Sequence, residues 1–247
     1  MTGTREMWRV IAFLTVLLPQ AVFAASCRDT EFEDVSLTVC EAQQDEDLRL
    51  FHTGPNGIYG SFGAVDDALA EEGKQLGFAM NAGMYHADRA PVGLFVDKGR
   101  EVARIVTREG PGNFGLLPNG VFCIGRSFAV VESRTFAASA PACNWATQSG
   151  PMLVIDGKLH PRLIPDSDSE YIRNGVGVSA DGTTALFVLS NERVNFHRFA
   201  RFFRDVLQTP NALYFDGKIS RLYAPELGRD DLGFPMGPIV GLAVPRE

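Results

Sequence analysis

Short apolar-rich runs separated by turns dominate the pattern of hydrophobic and polar positions along the chain. Between residues 92 and 189 such runs flank glycine-containing turns, which is typical of antiparallel strands. Apolar residues recur at helical spacing in two segments, residues 64–72 and residues 196–207. The pattern therefore predicts an α+β fold: a single domain with a mixed, largely β-rich sheet core and two main helices.

Polar residues that end apolar runs are the first candidates for chemistry. The strand predicted at residues 76–80 ends on Asn81, and the strand at 212–215 ends on Asp216, directly behind the second helix. Functional side chains are often found where a buried strand gives way to a loop. The structural alternative for Asp216 is an ordinary Asp-Gly hairpin turn, since Gly217 follows it.

The start of the chain has the features of an export signal. Basic residues precede the apolar run 10–23, and small residues lead up to Ala24. This predicts a signal peptide at 1–24, a domain at 25–247 that is periplasmic or secreted, and no stable membrane span after cleavage. The alternatives are an uncleaved membrane anchor and a lipoprotein acylated on Cys27.

Composition narrows the class of partner. The chain has 247 residues, of which 45% are hydrophobic, so it can bury a large core. Loss of residues 1–24 removes two arginines and one glutamate, and the net charge of −7 becomes −8. An acidic exported protein is not expected to bind nucleic acid through phosphate contacts.

The cysteines predict disulfides. Cys27, Cys40, Cys123 and Cys143 are even in number and contain no CxxC pair. Of the three possible pairings we favour Cys27–Cys40 and Cys123–Cys143, because each closes a short loop between predicted strands. A catalytic cysteine is the alternative.

The sequence predicts no cofactor and no metal site, although the scattered histidines leave a three-histidine site as an alternative.

Four motifs occur in an order that resembles the phosphodiester glycosidase family, the relatives of the lysosomal uncovering enzyme N-acetylglucosamine-1-phosphodiester alpha-N-acetylglucosaminidase, and in particular a bacterial exported branch of that family. They are Asn81-Ala-Gly-Met-Tyr85, Gln148-Ser-Gly-Pro151, Arg173-Asn-Gly-Val-Gly177 and Asn211-Ala-Leu-Tyr-Phe-Asp216-Gly217. The resemblance covers residues 76–223. It departs from the family pattern at Lys218 and Ile219, which stand where two glycines are expected before Ser220.

The resemblance implies a hydrolase that cleaves sugar-1-phosphodiester linkages in glycans or envelope polymers. Asp216 would stabilise the oxocarbenium-like anomeric centre, and Arg173 would hold the phosphate through its planar fork of donors. Glu170 is the preferred second catalytic carboxylate, with Asp168 as its alternative. The expected substrate-binding residues are Asn81, Gly83, Tyr85, Ser149, Gly150, Gly217 and Ser220.

Structural roles compete with these assignments. Arg173 is also consistent with a core ion pair, and Asn81 with a buried amide that caps a turn. Two other functions fit a carbohydrate or sugar-phosphate partner. One is hydrolysis of ordinary glycosides. The other is a non-catalytic carbohydrate-binding or envelope-assembly module, which the residues Lys218 and Ile219 favour.

Export can be tested on the full chain expressed in a bacterial host. We expect the protein in the periplasmic or extracellular fraction with Ala25 at its N-terminus, because the small residues before that position fit signal cleavage. Intact mass and N-terminal sequencing measure this. A full-length chain that remains in the membrane fraction would contradict it.

Overall fold

The computed structural model describes residues 26–246, so the predicted signal peptide lies outside the described residues. Strands dominate, and three α-helices accompany them in the described part. The strands are β1 (Cys27–Phe32), β2 (Val35–Gln43), β3 (Asp47–Phe51), β4 (Thr53–Gly54), β5 (Gly57–Ile58), β6 (Lys74–Asn81), β7 (Phe95–Asp97), β8 (Arg100–Ala103), β9 (Gly120–Ile124), β10 (Phe128–Glu132), β11 (Trp145–Ser149), β12 (Met152–Ile155), β13 (Lys158–Leu159), β14 (Asn174–Val178), β15 (Thr184–Ser190), β16 (Asn211–Asp216), β17 (Leu222–Ala224), β18 (Arg229–Asp230) and β19 (Ile239–Pro245). The helices are α1 (Phe62–Ala70), α2 (Ser133–Ser139) and α3 (Phe196–Arg201).

The strands form three main antiparallel sheets. The largest has seven strands in the order β1-β2-β15-β14-β16-β12-β13. Two five-stranded sheets have the orders β10-β9-β11-β7-β8 and β18-β17-β6-β19-β3, and β4 pairs with β5 in a separate ribbon. The expected single, β-rich α+β domain is confirmed.

The three sheets meet around a cluster of buried phenylalanines. Phe78 of β6, Phe122 of β9, and Phe187 and Phe215 of the seven-stranded sheet are all fully buried. Ring centroids are 5.4 Å apart for Phe78–Phe187, 5.6 Å for Phe122–Phe187 and 6.5 Å for Phe122–Phe215. Aromatic contacts of this kind add to the free energy of burial. The cluster holds the three sheets together close to where β6, β11 and β16 end.

The opposite face of the seven-stranded sheet is covered by α3. Asn195 caps this helix, because its side chain accepts a hydrogen bond from the Arg198 amide. Phe199 and Phe203 pack here in the same apolar cluster as Tyr214 of β16. Phe215 points into the central core, so neighbouring residues of β16 serve opposite faces.

Two sequence-based predictions, the extent of the second helix and the number of helices, need correction. The helix predicted at 196–207 is α-helical only to Arg201 and continues as a π-helix, Phe202–Val206. Apolar spacing does not distinguish these, because the wider turn follows from tertiary packing of the buried phenylalanines at its start. Helix α2 was not predicted, since Phe136 is its one large buried side chain. The proline- and glycine-rich segment 224–238 contains a 3-10 turn (Pro225–Leu227) and β18.

Both predicted disulfides are confirmed. Cys27 and Cys40 are register partners in β1 and β2, and Cys123 of β9 bonds Cys143 just before β11. Residues 26–246 contain no free cysteine. A nucleophilic cysteine is therefore excluded for the oxidised protein.

Within residues 26–246, none of the helices is long and apolar enough to cross a membrane.

Candidate functional site

Asp216 is the last residue of β16 and lies at the floor of a cleft. Its Oδ1 accepts hydrogen bonds from the backbone amides of Gly217 (2.7 Å) and Lys218 (2.8 Å). The residue is 9% exposed. Burial raises the pKa of the Asp216 carboxyl, and the amides of Lys218 and Gly217 act in the opposite direction. A carboxylate fixed by backbone donors and poorly solvated is suited to stabilising positive charge.

The cleft above Asp216 has a volume of about 350 Å³, which is within the range of small-ligand sites. Its lining residues come from four separate segments of the chain: Met84, Asn113, Ser169, Tyr171, Tyr214, Asp216, Gly217 and Lys218. Gly217 is required here for steric reasons, because a Cβ atom at this position would overlap the Tyr214 hydroxyl.

Arg173 lies beneath the cleft rather than in it. It is fully buried, with its guanidinium carbon 3.5 Å from the centroid of the Phe196 ring. Burial lowers the pKa of the guanidinium group. Its donors go to the carbonyls of Val194 (2.7 Å) and Ser169 (2.7 Å) and, at 3.4 Å, to the Tyr214 hydroxyl. The guanidinium thus reaches the cleft through Tyr214 and does not itself contact the solvent.

No ion pair accounts for the burial of Arg173. None of the salt bridges within residues 26–246 includes it. The core ion pair considered from the sequence is therefore absent from the described chain. Cation–π stacking on Phe196 and three neutral acceptors hold the charge instead.

A buried amide pair joins two sheets directly behind Asp216. Asn174 of β14 donates through Nδ2 to the Asn81 carbonyl at the end of β6 (2.8 Å) and to its Oδ1 (3.1 Å). Asn174 Oδ1 accepts from the Asp216 amide (3.1 Å), and Asn81 Oδ1 accepts from the Arg221 amide (3.0 Å). Both asparagines are fully buried. Asn81 therefore acts in this structure as a buried connector of backbone groups.

The other predicted binding residues support the same corner of the fold. Ser149 Oγ donates to the Phe215 carbonyl at 2.8 Å, and Ser220 Oγ donates to the Asp216 carbonyl at 2.9 Å. A Cβ atom at Gly150 would lie 2.6 Å from the Asn119 Cβ, and one at Gly83 would lie 3.0 Å from the Thr147 Oγ1. These four residues position the strand ends around the cleft but do not line it.

Tyr85 and Glu170 lie near the cleft without lining it. The Tyr85 hydroxyl donates to the Pro235 carbonyl at 3.0 Å, and burial raises its pKa, with the negative charge of Asp216 adding to the effect. Glu170 is exposed and lies between Ser169 and Tyr171, two residues that do line the cleft.

Residues 26–246 contain no group of three or more His, Cys, Asp or Glu side chains placed to hold a metal ion.

The residues missed from the sequence are Asn174, Tyr214 and Tyr171. Tyr214 is two positions before Asp216 in a strand, so the two-residue period of strands places both on one face. That period was available from the sequence. The role of Asn174 was not, because its partners are 93 and 42 positions away along the chain.

Known proteins resemble this chain in sequence and in fold. The family description that matches residues 74–229 is that of phosphodiester glycosidase. This chain also is 35% identical over 225 residues to the protein YigE of Escherichia coli (strain K12), covering 89% of this chain and 86% of that protein. The chain therefore belongs to the phosphodiester glycosidase family.

Two solved structures share the fold. One is the zebrafish N-acetylglucosamine-1-phosphodiester alpha-N-acetylglucosaminidase catalytic domain, auto-inhibited by its pro-peptide, with a TM-score of 0.60 and 13% identity over 90% of this chain and 84% of that one. The other is a candidate exported protein of Burkholderia pseudomallei K96243, with a TM-score of 0.57 and 12% identity over 84% of this chain and 74% of that one. At these identities the likeness concerns the fold.

Replacement of Asn174 tests the buried amide pair. We expect Asn174→Ala to lower the free energy of unfolding by about 2 kcal/mol or more, because it leaves the Asn81 carbonyl and the Asp216 amide buried without partners. Urea denaturation measures the change. Asn56→Ala, at an exposed hairpin position, serves as the control and should change stability by less than about 0.5 kcal/mol. Equal effects of the two substitutions would contradict the role of the pair.

Proposed function

We propose that this protein is an exported hydrolase that cleaves sugar-1-phosphodiester linkages in glycans or envelope polymers. The observation that carries the proposal is Asp216, a buried carboxylate held by two backbone amides at the floor of a cleft of ligand size. Membership of the phosphodiester glycosidase family supports this class of reaction.

The chemistry that we assign to Asp216 is stabilisation of the anomeric centre. Cleavage of a sugar–phosphate C–O bond develops positive charge on the anomeric carbon, which an ionised carboxylate stabilises. A phosphodiester is a fair leaving group, so the reaction depends little on a second carboxylate. Glu170, at the rim beside Tyr171, is the candidate for that secondary role.

We assign Arg173 a positioning role. Its guanidinium is fully buried and donates to the Tyr214 hydroxyl, which in turn lines the cleft. The phosphate clamp expected from the sequence would require that group to reach the substrate directly. Tyr214, itself fully buried, forms part of the cleft wall, and Arg173 fixes the direction of its hydroxyl.

Export is part of the proposal. We assign residues 1–24 to a cleaved signal and residues 25–247 to the mature domain. Two disulfides support an oxidising compartment, periplasmic or extracellular, and the likeness to a candidate exported protein is consistent with it.

A second candidate function is a non-catalytic carbohydrate-binding or envelope-assembly module. One observation favours it: Ile219, which replaces a glycine of the family pattern, packs against an apolar cluster under α1 and makes the turn after Asp216 bulkier. Hydrolysis of ordinary glycosides is less well supported, since it calls for a paired acid and Glu170 is exposed.

Asp216→Asn tests the catalytic assignment. The change keeps the shape and removes the charge, so we expect kcat on a sugar-1-phosphodiester to fall by about 100-fold or more with little change in KM. Asp156→Asn is the matched control, because Asp156 is exposed and belongs to another Asp-Gly turn. Normal kcat in Asp216→Asn would end the assignment, and a wild type that binds glycan without cleaving any substrate would favour the binding module.

The raised pKa of Asp216 gives the same experiment a pH dependence. The ionised form predominates only above that pKa, so wild-type kcat should begin to fall, as pH decreases, at a pH above the ordinary aspartate value of 3.8.

The folding stability of the wild type should change with pH in the opposite direction to kcat. As pH rises through the folded-state pKa, the wild type ionises a buried group and loses stability relative to Asp216→Asn. Thermal denaturation across pH measures this, and an Asn variant that is less stable at neutral pH would contradict it.

Arg173→Lys separates a positioning role from a phosphate clamp. Lysine keeps the charge but loses the planar fork that reaches Tyr214, so we expect kcat/KM to fall by about tenfold or more on anionic and neutral substrates alike. Tyr214→Phe should reproduce most of that loss, and Arg204→Lys, on the surface, should have no effect. A loss confined to anionic substrates would instead support direct phosphate binding by Arg173.

A further inference from the structure

Lys218 occupies a fixed position next to Asp216. Its backbone amide donates to Asp216 Oδ1 at 2.8 Å, so its Cα is set by the same turn that holds the carboxylate. The side chain is exposed and lines the same cleft. The ammonium group is therefore tethered two residues from the carboxylate but is free to reach the solvent side of the cleft.

The charges that line the cleft are few. Among its eight lining residues, Lys218 is the one cation and Asp216 the one anion. No salt bridge within residues 26–246 includes Lys218, whereas Lys74 is bonded to Asp47. Arg173, which donates to the Tyr214 hydroxyl, is fully buried and makes three hydrogen bonds. Among the residues that line the cleft, Lys218 thus presents the one positive charge to a ligand.

We propose that Lys218 is the phosphate-binding residue of this site and determines its preference for anionic substrates. The inference rests on the proposed function. In a sugar-1-phosphodiester one bridging oxygen separates the anomeric carbon from the phosphorus, so a carboxylate and an ammonium that extend from one turn suit the two centres. An ammonium is a compact charge that donates hydrogen bonds to phosphate oxygens in several directions. The residue that departs from the family pattern thereby supplies the charge that buried Arg173 does not present.

The kinetic test compares charge removal with charge retention. We expect Lys218→Gln to raise KM for a sugar-1-phosphodiester by about tenfold, and to do so at least several times more than for the neutral nitrophenyl glycoside of the same sugar. Lys218→Arg keeps the charge and should retain most of the affinity. Lys158→Gln, an exposed lysine that does not line the cleft, is the matched control. Added salt should raise KM in the wild type and have less effect in Lys218→Gln.

A binding test keeps the inference separate from catalysis. Dimethyl phosphate, a phosphodiester without a sugar, is titrated into the mature protein. Binding is followed through the backbone amide NMR signals of Gly217 and Lys218, or of Gly217 alone in the Lys218→Gln variant. We expect saturable shifts in the wild type and in Asp216→Asn, with affinity about tenfold weaker in Lys218→Gln. Equal binding by wild type and Lys218→Gln, or no binding by either, overturns the role of Lys218. Retained binding in a protein that cleaves nothing would overturn the proposed hydrolase activity alone.

Discussion

The hydrogen-bonded pair of Asn81 and Asn174 is the contact on which the candidate site depends. It joins β6 of one sheet to β14 of another, and its side-chain amides bond the Asn81 carbonyl and the backbone amides of Asp216 and Arg221. Because both side chains are fully buried, each unsatisfied group would cost free energy in an apolar surrounding. The pair therefore fixes the Asp216 amide relative to a second sheet, and the direction of the carboxylate follows from that.

The candidate site contains buried charged groups, which lower the stability of the folded protein. Asp216 is poorly solvated, and the groups that compensate its charge are backbone amides and the nearby charge of Lys218. Arg173 is similarly buried without a carboxylate partner and depends on Phe196 and neutral acceptors. The charges of Arg173 and Asp216 both act on the Tyr214 hydroxyl, and no salt bridge within residues 26–246 joins the two.

The packing of the core explains why polar residues so far apart in sequence converge. The phenylalanine cluster brings β6, β9, β15 and β16 together, and the buried polar residues follow directly from the ends of these strands or of their neighbours. On the other face, α3 and its π-helical continuation press against Tyr214. Neighbouring buried residues of β16 thus face the central core and the site in alternation.

The sequence by itself determined the fold class, both disulfide pairs, the family and the position of Asp216 at a strand end. These follow from local signals: apolar periodicity, the short spacing of the cysteines and motifs that are contiguous in the chain. Tertiary structure alone decided the burial of Arg173, the pairing of Asn81 with Asn174, and the set of residues that line the cleft. The physical reason is that burial and hydrogen bonding between distant strands depend on how the sheets pack, and no local pattern encodes the neighbour across a sheet interface.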